Sequence, residues 1–374
     1  MNTILIIASF SPSLINFRGK LIEALQTNNI EVHVAAPDLD DNRHIQAQLE
    51  YNNVISHNLT LSRNGFNPIL DLITLFQLIK IMKKLRPQYV LAYTIKPVIY
   101  GMLAAKLSQI PKRFALITGL GYAFTGKAEG MRGLLRKLLQ KMYQLSLSYS
   151  DKIFFQNPDD KALFNSLKII GKPNQALVIN GSGVDLDYYS VVPAPEDLSF
   201  LMISRLLGDK GVREYVEAAK QVRKKYPNIK YSIVGCIDEN PNTIGQDELD
   251  GWISEGTISF LGELEDVRPA IAAASVYVLP SYREGTPRTV LESMAMGRPI
   301  ITTDAPGCRE TVINRSNGFL IPIKDSNALA RAMEKFIINP NLIAEMGPKS
   351  RIIAQKKYDV HRVNKVMLKE MGII

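Results

Sequence analysis

Cysteine is scarce in this chain. Its 374 residues hold only Cys236 and Cys308, with no CxxC spacing, which argues against a disulfide framework and a thiolate zinc site. Reduced thiols of this kind fit a cytosolic setting. Histidine is equally thin: His33, His44, His57 and His361 are scattered, so no zinc set and no Ser-His-Asp order can be assembled. Each is read as a surface or packing residue. Two DxD matches, Asp38–Asp40 and Asp185–Asp187, lie far from any histidine cluster, and no metal is expected. No run of about 20 uncharged apolar residues occurs, so nothing is expected to span a membrane. The opening MNTILIIASF has no basic lead and reads as a buried strand, not a secretion signal. The loop after it, SFSPSLINFRG, lacks GxGxxG, which removes the fingerprint of an NAD-binding domain. With Arg18, that loop can approach a phosphate or can be a plain surface turn. Fixed-period repeats and low-complexity segments are missing as well.

What is present is an ordinary globular composition, 46% apolar and 22% charged, long enough for two domains. The formal net charge of +9 suggests an anionic partner. Nucleic acid is not expected, because the basic residues are not interleaved with aromatics on one stripe and no nucleic-acid module is recognisable. Short apolar runs alternate with helical patterns. Thr3–Ala8, Glu31–Ala36, Tyr89–Ala92, Arg113–Thr118 and Asp151–Gln156 read as strands, and Phe17–Asn28, Ile69–Lys84 and Val98–Leu107 as helices between them. Pro193 and Pro195 in VVPAPEDL break the pattern, and the rhythm then restarts with strands at Phe200–Ser204, Tyr231–Gly235, Ile258–Leu261, Val276–Pro280 and Ile300–Thr303. This βαβ alternation predicts an α/β fold of two doubly wound, Rossmann-like domains facing a central cleft. The expected boundaries are 1–192, 193–356 and a closing helical segment 357–374.

Three stretches carry candidate chemistry. The segment Tyr282–Pro299, YREGTPRTVLESMAMGRP, follows a strand, begins as a polar loop and becomes a helix from Arg288. It therefore places Glu284 and Glu292 around the place where open α/β sheets bind ligands. As a glycosidase pair they would stand about 12 Å apart if both were helical, beyond the roughly 5–9.5 Å that such chemistry uses. Gripping hydroxyl groups of one extended ligand is the simpler reading, although Glu292 could also be a plain surface helix residue. In SRLLGDKGVREY, Arg205 and Lys210 bracket a loop with Gly208 and Gly211, where two cations and helix N–H groups can converge on a diphosphate. In MRGLLRKLLQKMYQLSLSYS, Leu134, Leu135, Leu138, Leu139, Met142 and Leu145 recur at helical spacing with Arg132, Arg136, Lys137 and Lys141 between them. That helix, Met131–Tyr149, can lie on an anionic membrane surface or pack inward with a solvated basic face.

The run SRLLGDKG, the FLG at Phe260–Gly262 and SYREGTPRTVLESMAMGRPIITTDAPGCRE together resemble the donor-binding domain of the family 4 retaining glycosyltransferases of GT-B fold. Their E-x7-E pattern is matched by Glu284 and Glu292. NFRGKLIEAL, AYTIKPVIYGMLAAKL and ITGLGYAF are similar to bacterial members that extend lipid-linked oligosaccharides for capsule, O-antigen or glycoprotein glycans. The resemblance implies that Arg205 and Lys210 hold the donor diphosphate and supply catalytic charge together with Glu284. It places Glu284 on the donor sugar, the backbone of Gly285, Thr286, Pro287 and Arg288 on sugar and phosphate, Glu292 on the ribose, Phe260 and Leu261 beside the base, and Gly19 on the donor side. Asn16, Arg18, Lys96, Thr118, Gly119 and Tyr122 would face the acceptor, with Lys96 a candidate for its diphosphate. Many relatives have His where this chain has Thr118, which leaves the backbone as the contributor there. The implied reaction moves a hexose or N-acetylhexosamine (GalNAc, GlcNAc or Gal) from a UDP-sugar to an undecaprenyl-diphosphate-linked saccharide. Neither metal nor cofactor is implied, and the implied location is peripheral, on the cytoplasmic face of the inner membrane. A GT-B epimerase or phosphorylase, which consumes nucleotide sugar without an acceptor, and a non-catalytic nucleotide-sugar-binding protein are the competing readings.

Overall fold

Nearly continuous apolar runs belong to strands buried on both faces, and here they build two separate, wholly parallel sheets. The computed structural model describes residues 1–62, 67–120, 130–237, 240 and 242–374. It divides into one unit of Met1–Ser182 with His361–Ile374 and another of Gly183–Val360.

In the first unit the strands are β1 (Asn2–Ile7), β2 (Ile30–Ala36), β3 (Ile55–Asn58), β4 (Tyr89–Tyr93), β5 (Lys112–Ile117), β6 (Lys152–Phe155) and β7 (Ala176–Val178). Their order across the sheet is β3-β2-β1-β4-β5-β6-β7. Side chains alternate along each strand, so Leu5 and Ile7 enter one core while Ile4 and Ile6 enter the other. On the first face lie helices Pro68–Leu85, Ile95–Leu107, Gly130–Ser148 and Pro158–Ser166. Helices Gly19–Thr27 and Arg43–Tyr51 cover the second face, joined by the closing helix Val360–Met371, whose Met367, Leu368 and Met371 pack among Ile4, Ile6 and Phe154. An ion pair of 2.7 Å between Lys152 and Glu370 holds the closing helix to the start of β6. Several helix starts follow from local chemistry. Asn67 caps the amides of Ile69 and Leu70 ahead of Pro68, and Asn157 caps the amide of Asp160 ahead of Pro158. The loop after β1 contains a short helix, Pro12–Asn16, and the following helix begins at Gly19, two residues later than the apolar pattern predicts.

The second unit restarts the scheme with β8 (Ser199–Ile203), β9 (Lys230–Val234), β10 (Ser259–Phe260), β11 (Val276–Leu279), β12 (Ile300–Thr303) and β13 (Gly318–Ile321). Their order is β10-β9-β8-β11-β12-β13. One contiguous core joins all six strands to the helices on both faces. In both sheets the strand order reverses once, between β1 and β4 and between β8 and β11. At such a point the loops leaving the carboxyl ends of two neighbouring strands diverge and leave a crevice, which is where open α/β sheets place ligands.

Candidate functional site

The crevice of the second unit is framed by the loop after β8, Ser204–Gly211, and the loop after β11, Pro280–Pro287. These loops touch. Gly211 has φ +76°, and a Cβ there would stand 2.2 Å from the Pro280 carbonyl oxygen, so only glycine permits the approach. The Tyr282 amide donates to Asp209 O at 2.9 Å, fixing one loop to the other. A third segment, after β12, clamps Glu284: its amide donates to Pro306 O at 2.9 Å. A Cβ on Gly307 would lie 2.2 Å from Glu284 O. The consequence is that Lys210 and Glu284, distant in sequence, meet as an ion pair of 2.5 Å, with 18% and 15% of their side chains exposed. Arg205 stands on the same loop with an exposed side chain.

Glu292 lies on the following helix, Arg288–Ala295, and is almost wholly buried. Tyr189 donates its hydroxyl to Oε1 at 2.9 Å, and Arg288 Nε donates to the same oxygen at 2.8 Å. Burial pushes the Glu292 carboxyl above the usual carboxylate range, and Arg288 and Tyr189 pull it partly back. Gly285 and Pro287 are buried and Thr286 is half-buried, with Pro287 preceding the first turn of the Glu292 helix. Phe260 and Leu261 come at the carboxyl end of the edge strand β10, two strands from β8, and Leu261 is 44% exposed. The second unit thus gathers cations, two carboxylates and a glycine-bearing turn at the carboxyl ends of its strands. That set can hold an anion next to several hydroxyl groups.

In the first unit the corresponding crevice lies between the loops after β1 and β4. Ser9 Oγ and Thr94 Oγ1 are 2.7 Å apart, linking the two loops. Ser13 Oγ and the Tyr93 hydroxyl are 2.8 Å apart, and the Arg18 guanidinium sits 5.0 Å from the centre of the Tyr93 ring. Thr94 takes φ +70° and ψ 169°, a region that is nearly glycine's alone, and such strain concentrates at functional loops. Lys96, in the first turn of helix Ile95–Leu107, pairs with Asp71 Oδ1 at 2.8 Å, both side chains being largely buried. The ammonium expected to face an acceptor diphosphate therefore has a carboxylate beside it. Burial and Asp71 together raise the neighbouring Tyr100 hydroxyl far above its ordinary range. Asn16 is exposed; Thr118 and Gly119, just past β5, are half-buried. At Gly19 an added Cβ would meet nothing within 4 Å, so the protein's own packing does not demand glycine there. Tyr122 lies outside the described residues.

The sequence reading missed four participants: Tyr189, Asp71, Thr94 and Gly307. For Gly307 a signal existed, a Pro-Gly step just after an apolar strand. The other three act through long-range partners that no local pattern announces. The second DxD has a turn role instead: Asp185 Oδ1 accepts from the amides of Asp187 and Tyr188.

On helix Gly130–Ser148 the apolar residues divide. Leu139, Met142, Tyr143 and Leu147 pack into the core, whereas Leu134, Leu135, Leu138 and Leu145 are exposed. Helix Pro68–Leu85 likewise exposes Ile69, Leu72, Ile73 and Phe76, at i, i+3, i+4 and i+7 spacing. Helix Ile95–Leu107 packs on both of them.

Residues 4–157 match the family model described as glycosyl transferase 4-like, and residues 197–339 the one described as glycosyl transferases group 1. Among curated proteins, the chain is 28% identical over 345 residues, 88% of each chain, to the N,N'-diacetylbacillosaminyl-diphospho-undecaprenol alpha-1,3-N-acetylgalactosaminyltransferase of Campylobacter jejuni. It is 27% identical over 299 residues, 75% of each, to the UDP-Gal:alpha-D-GlcNAc-diphosphoundecaprenol alpha-1,3-galactosyltransferase of Escherichia coli. Among solved structures, Anabaena HepE in complex with UDP is similar in fold with a TM-score of 0.77 and 16% identity over the full length of both chains.

Proposed function

The chain belongs to the group 1, 4-like glycosyltransferases of GT-B fold, and from that premise we propose a donor, an acceptor and a division of labour between its residues. The donor is a UDP-sugar carrying a hexose or N-acetylhexosamine, and the acceptor is an undecaprenyl-diphosphate-linked saccharide. Support for both comes from the substrates named in the two curated relatives.

The observation that carries the donor site is the Lys210–Glu284 pair at the β8/β11 crevice. A diphosphate arriving there offers Lys210 a second anion, and Arg205 adds charge from the same loop. Glu284 is then in position to accept hydrogen bonds from sugar hydroxyls, and Glu292 from those of the ribose. In transfer with retention, the anomeric C–O bond to the diphosphate breaks, the acceptor oxygen bonds the same face, and its proton passes to the departing phosphate oxygen. Charge accumulates on that phosphate in the transition state, so cations placed there lower the barrier. The first-unit crevice, with Arg18, Lys96 and the turn at Thr118 and Gly119, is assigned to the acceptor.

A peripheral place at the cytoplasmic face of the membrane belongs to the same reading. The exposed leucines of Gly130–Ser148 and the exposed stripe Ile69, Leu72, Ile73, Phe76 give two apolar faces on one unit. Exposed Lys80, Lys83, Lys84, Lys137 and Lys141 accompany them, and the only acidic residue in either helix, Asp71, is buried. No helix among the described residues is long and apolar enough to cross a membrane.

The test is transfer from UDP-GalNAc, UDP-GlcNAc or UDP-Gal to a short polyprenyl-diphosphate saccharide. We expect product with one of the three, and a loss of roughly 100- to 1000-fold in kcat for Lys210→Ala and for Glu284→Ala in folded protein. Full activity in either variant removes the site assignment.

A further inference from the structure

Tyr189 precedes the second sheet and belongs to no strand or long helix, yet it is 7% exposed and its hydroxyl ends on Glu292. Its place is built. Asp185 closes a tight turn over Asp187 and Tyr188, and the Tyr189 amide donates back to Asp185 O at 2.9 Å. Arg351, from helix Asn341–Ile353, then donates to Tyr189 O at 2.9 Å and to Ala295 O at 2.8 Å. Ala295 ends the helix that carries Glu292, so one guanidinium ties the tyrosine's turn to the glutamate's helix.

The chemistry at the carboxylate is asymmetric. Tyr189 and Arg288 both donate to Oε1, which fixes the rotation of the carboxylate group and leaves Oε2 to receive a ligand. A cation alone would offset part of the burial cost of the charged carboxylate but would fix its plane less, since a single donor permits the group to turn. The tyrosine is thus the second point that defines an orientation.

We propose that Tyr189 is a positioning residue for donor recognition: with Arg288 it holds Oε1 of Glu292 so that Oε2 meets the vicinal hydroxyls of the donor's ribose. This rests on the reading of Glu292 as the ribose ligand. The reading of Glu292 alone leaves Tyr189 without a task, and nothing in the residue's local sequence assigns one.

The experiment uses the full chain and whichever of UDP or GDP stabilises it in a thermal-shift screen, together with the 2′-deoxy and 3′-deoxy forms of that nucleotide. Binding of each is measured by calorimetry to wild type, Tyr189→Phe and Glu292→Ala. In wild type the ribonucleotide binds more tightly than the deoxy forms. Phenylalanine keeps the ring and its packing, so Tyr189→Phe is expected to weaken the ribonucleotide by roughly fivefold, the equivalent of one hydrogen bond, while changing the deoxy forms little. The ratio between ribo and deoxy forms therefore falls toward that of Glu292→Ala, whereas a packing defect would weaken all ligands together and leave the ratio unchanged. The hydrogen bond also holds the Glu292 carboxyl down, so its removal moves the acid limb of nucleotide binding to higher pH. A ratio that collapses in Glu292→Ala but stays at the wild-type value in Tyr189→Phe overturns the role of Tyr189 alone. A ratio unchanged in both overturns the ribose assignment as well.

Discussion

Glu284 and Glu292 come from one loop-and-helix segment and end in different electrostatic surroundings. The first pairs with Lys210 at a partly open crevice; the second is buried, which pushes its carboxyl above the usual range, with Arg288 and Tyr189 pulling it partly back. Residue type was legible for both, and environment was not. The same holds for histidine. His33 and His57, read from sequence as scattered surface or packing residues, stack on neighbouring strands with Nδ1 and Nε2 2.9 Å apart. That contact needs at least one neutral ring, and burial lowers both pKa values below the ordinary value of about 6.5. Between the lowered values and 6.5 the unfolded chain binds more protons than the folded one, so stability is lost as pH falls through that window. We expect the thermal midpoint to decline below about pH 6.5, and the decline to flatten in a His33→Gln/His57→Gln variant. An identical slope in wild type and variant would assign the acid sensitivity to other groups.

At the scale of elements, the loops depend on close approaches that strands and helices make unavoidable. Arg298 follows the Glu292 helix and is 1% exposed, and among the described residues no acid pairs with it. Its guanidinium instead donates to the carbonyls of Ile271, Ala272, Val192 and Pro193, joining the Pro-rich segment ahead of β8 to the end of helix Arg268–Ala272. Desolvation by burial lowers its pKa to about 10. Arg298→Leu would remove the guanidinium donors from all four carbonyls, Ile271 O keeping the Ala274 amide, and we expect a loss of about 2–4 kcal/mol, read as a lower denaturant midpoint. Unchanged stability would mean that water replaces the guanidinium. The GRP step at the end of the helix marked a stop signal in the sequence; that its arginine turns inward to four carbonyls could not be read there. The strands β3, β7 and β13 were missed for a related reason. A four-residue run such as ISHN or GFLI has no period of its own and becomes a strand only through its neighbour, β2 or β12.

For the whole molecule, the formal charge of +9 and the two apolar helix faces of the first unit lead to one expectation. The chain should sediment with vesicles containing anionic lipid at low salt and be released as salt screens the charge. Replacing Phe76 and Leu138 by Ser should lower the bound fraction several-fold without altering nucleotide binding. Equal binding to neutral vesicles, or none to anionic ones, would contradict a peripheral anionic-surface role.

The sequence by itself determined the class of fold, the restart of the βαβ rhythm after Pro193 and Pro195, and the residue types on the loops after β8 and β11. Hydrophobic period, turn residues and motif spacing are local properties, written in neighbouring positions. Only the tertiary structure decided which charges meet. The order of strands brings Lys210 to Glu284 and Asp71 to Lys96, and the turn ahead of β8 brings Tyr189 to Glu292. Whether a carboxylate is paired, buried or open depends on atoms contributed by remote parts of the chain, and burial and distance exist only once the sheets have formed.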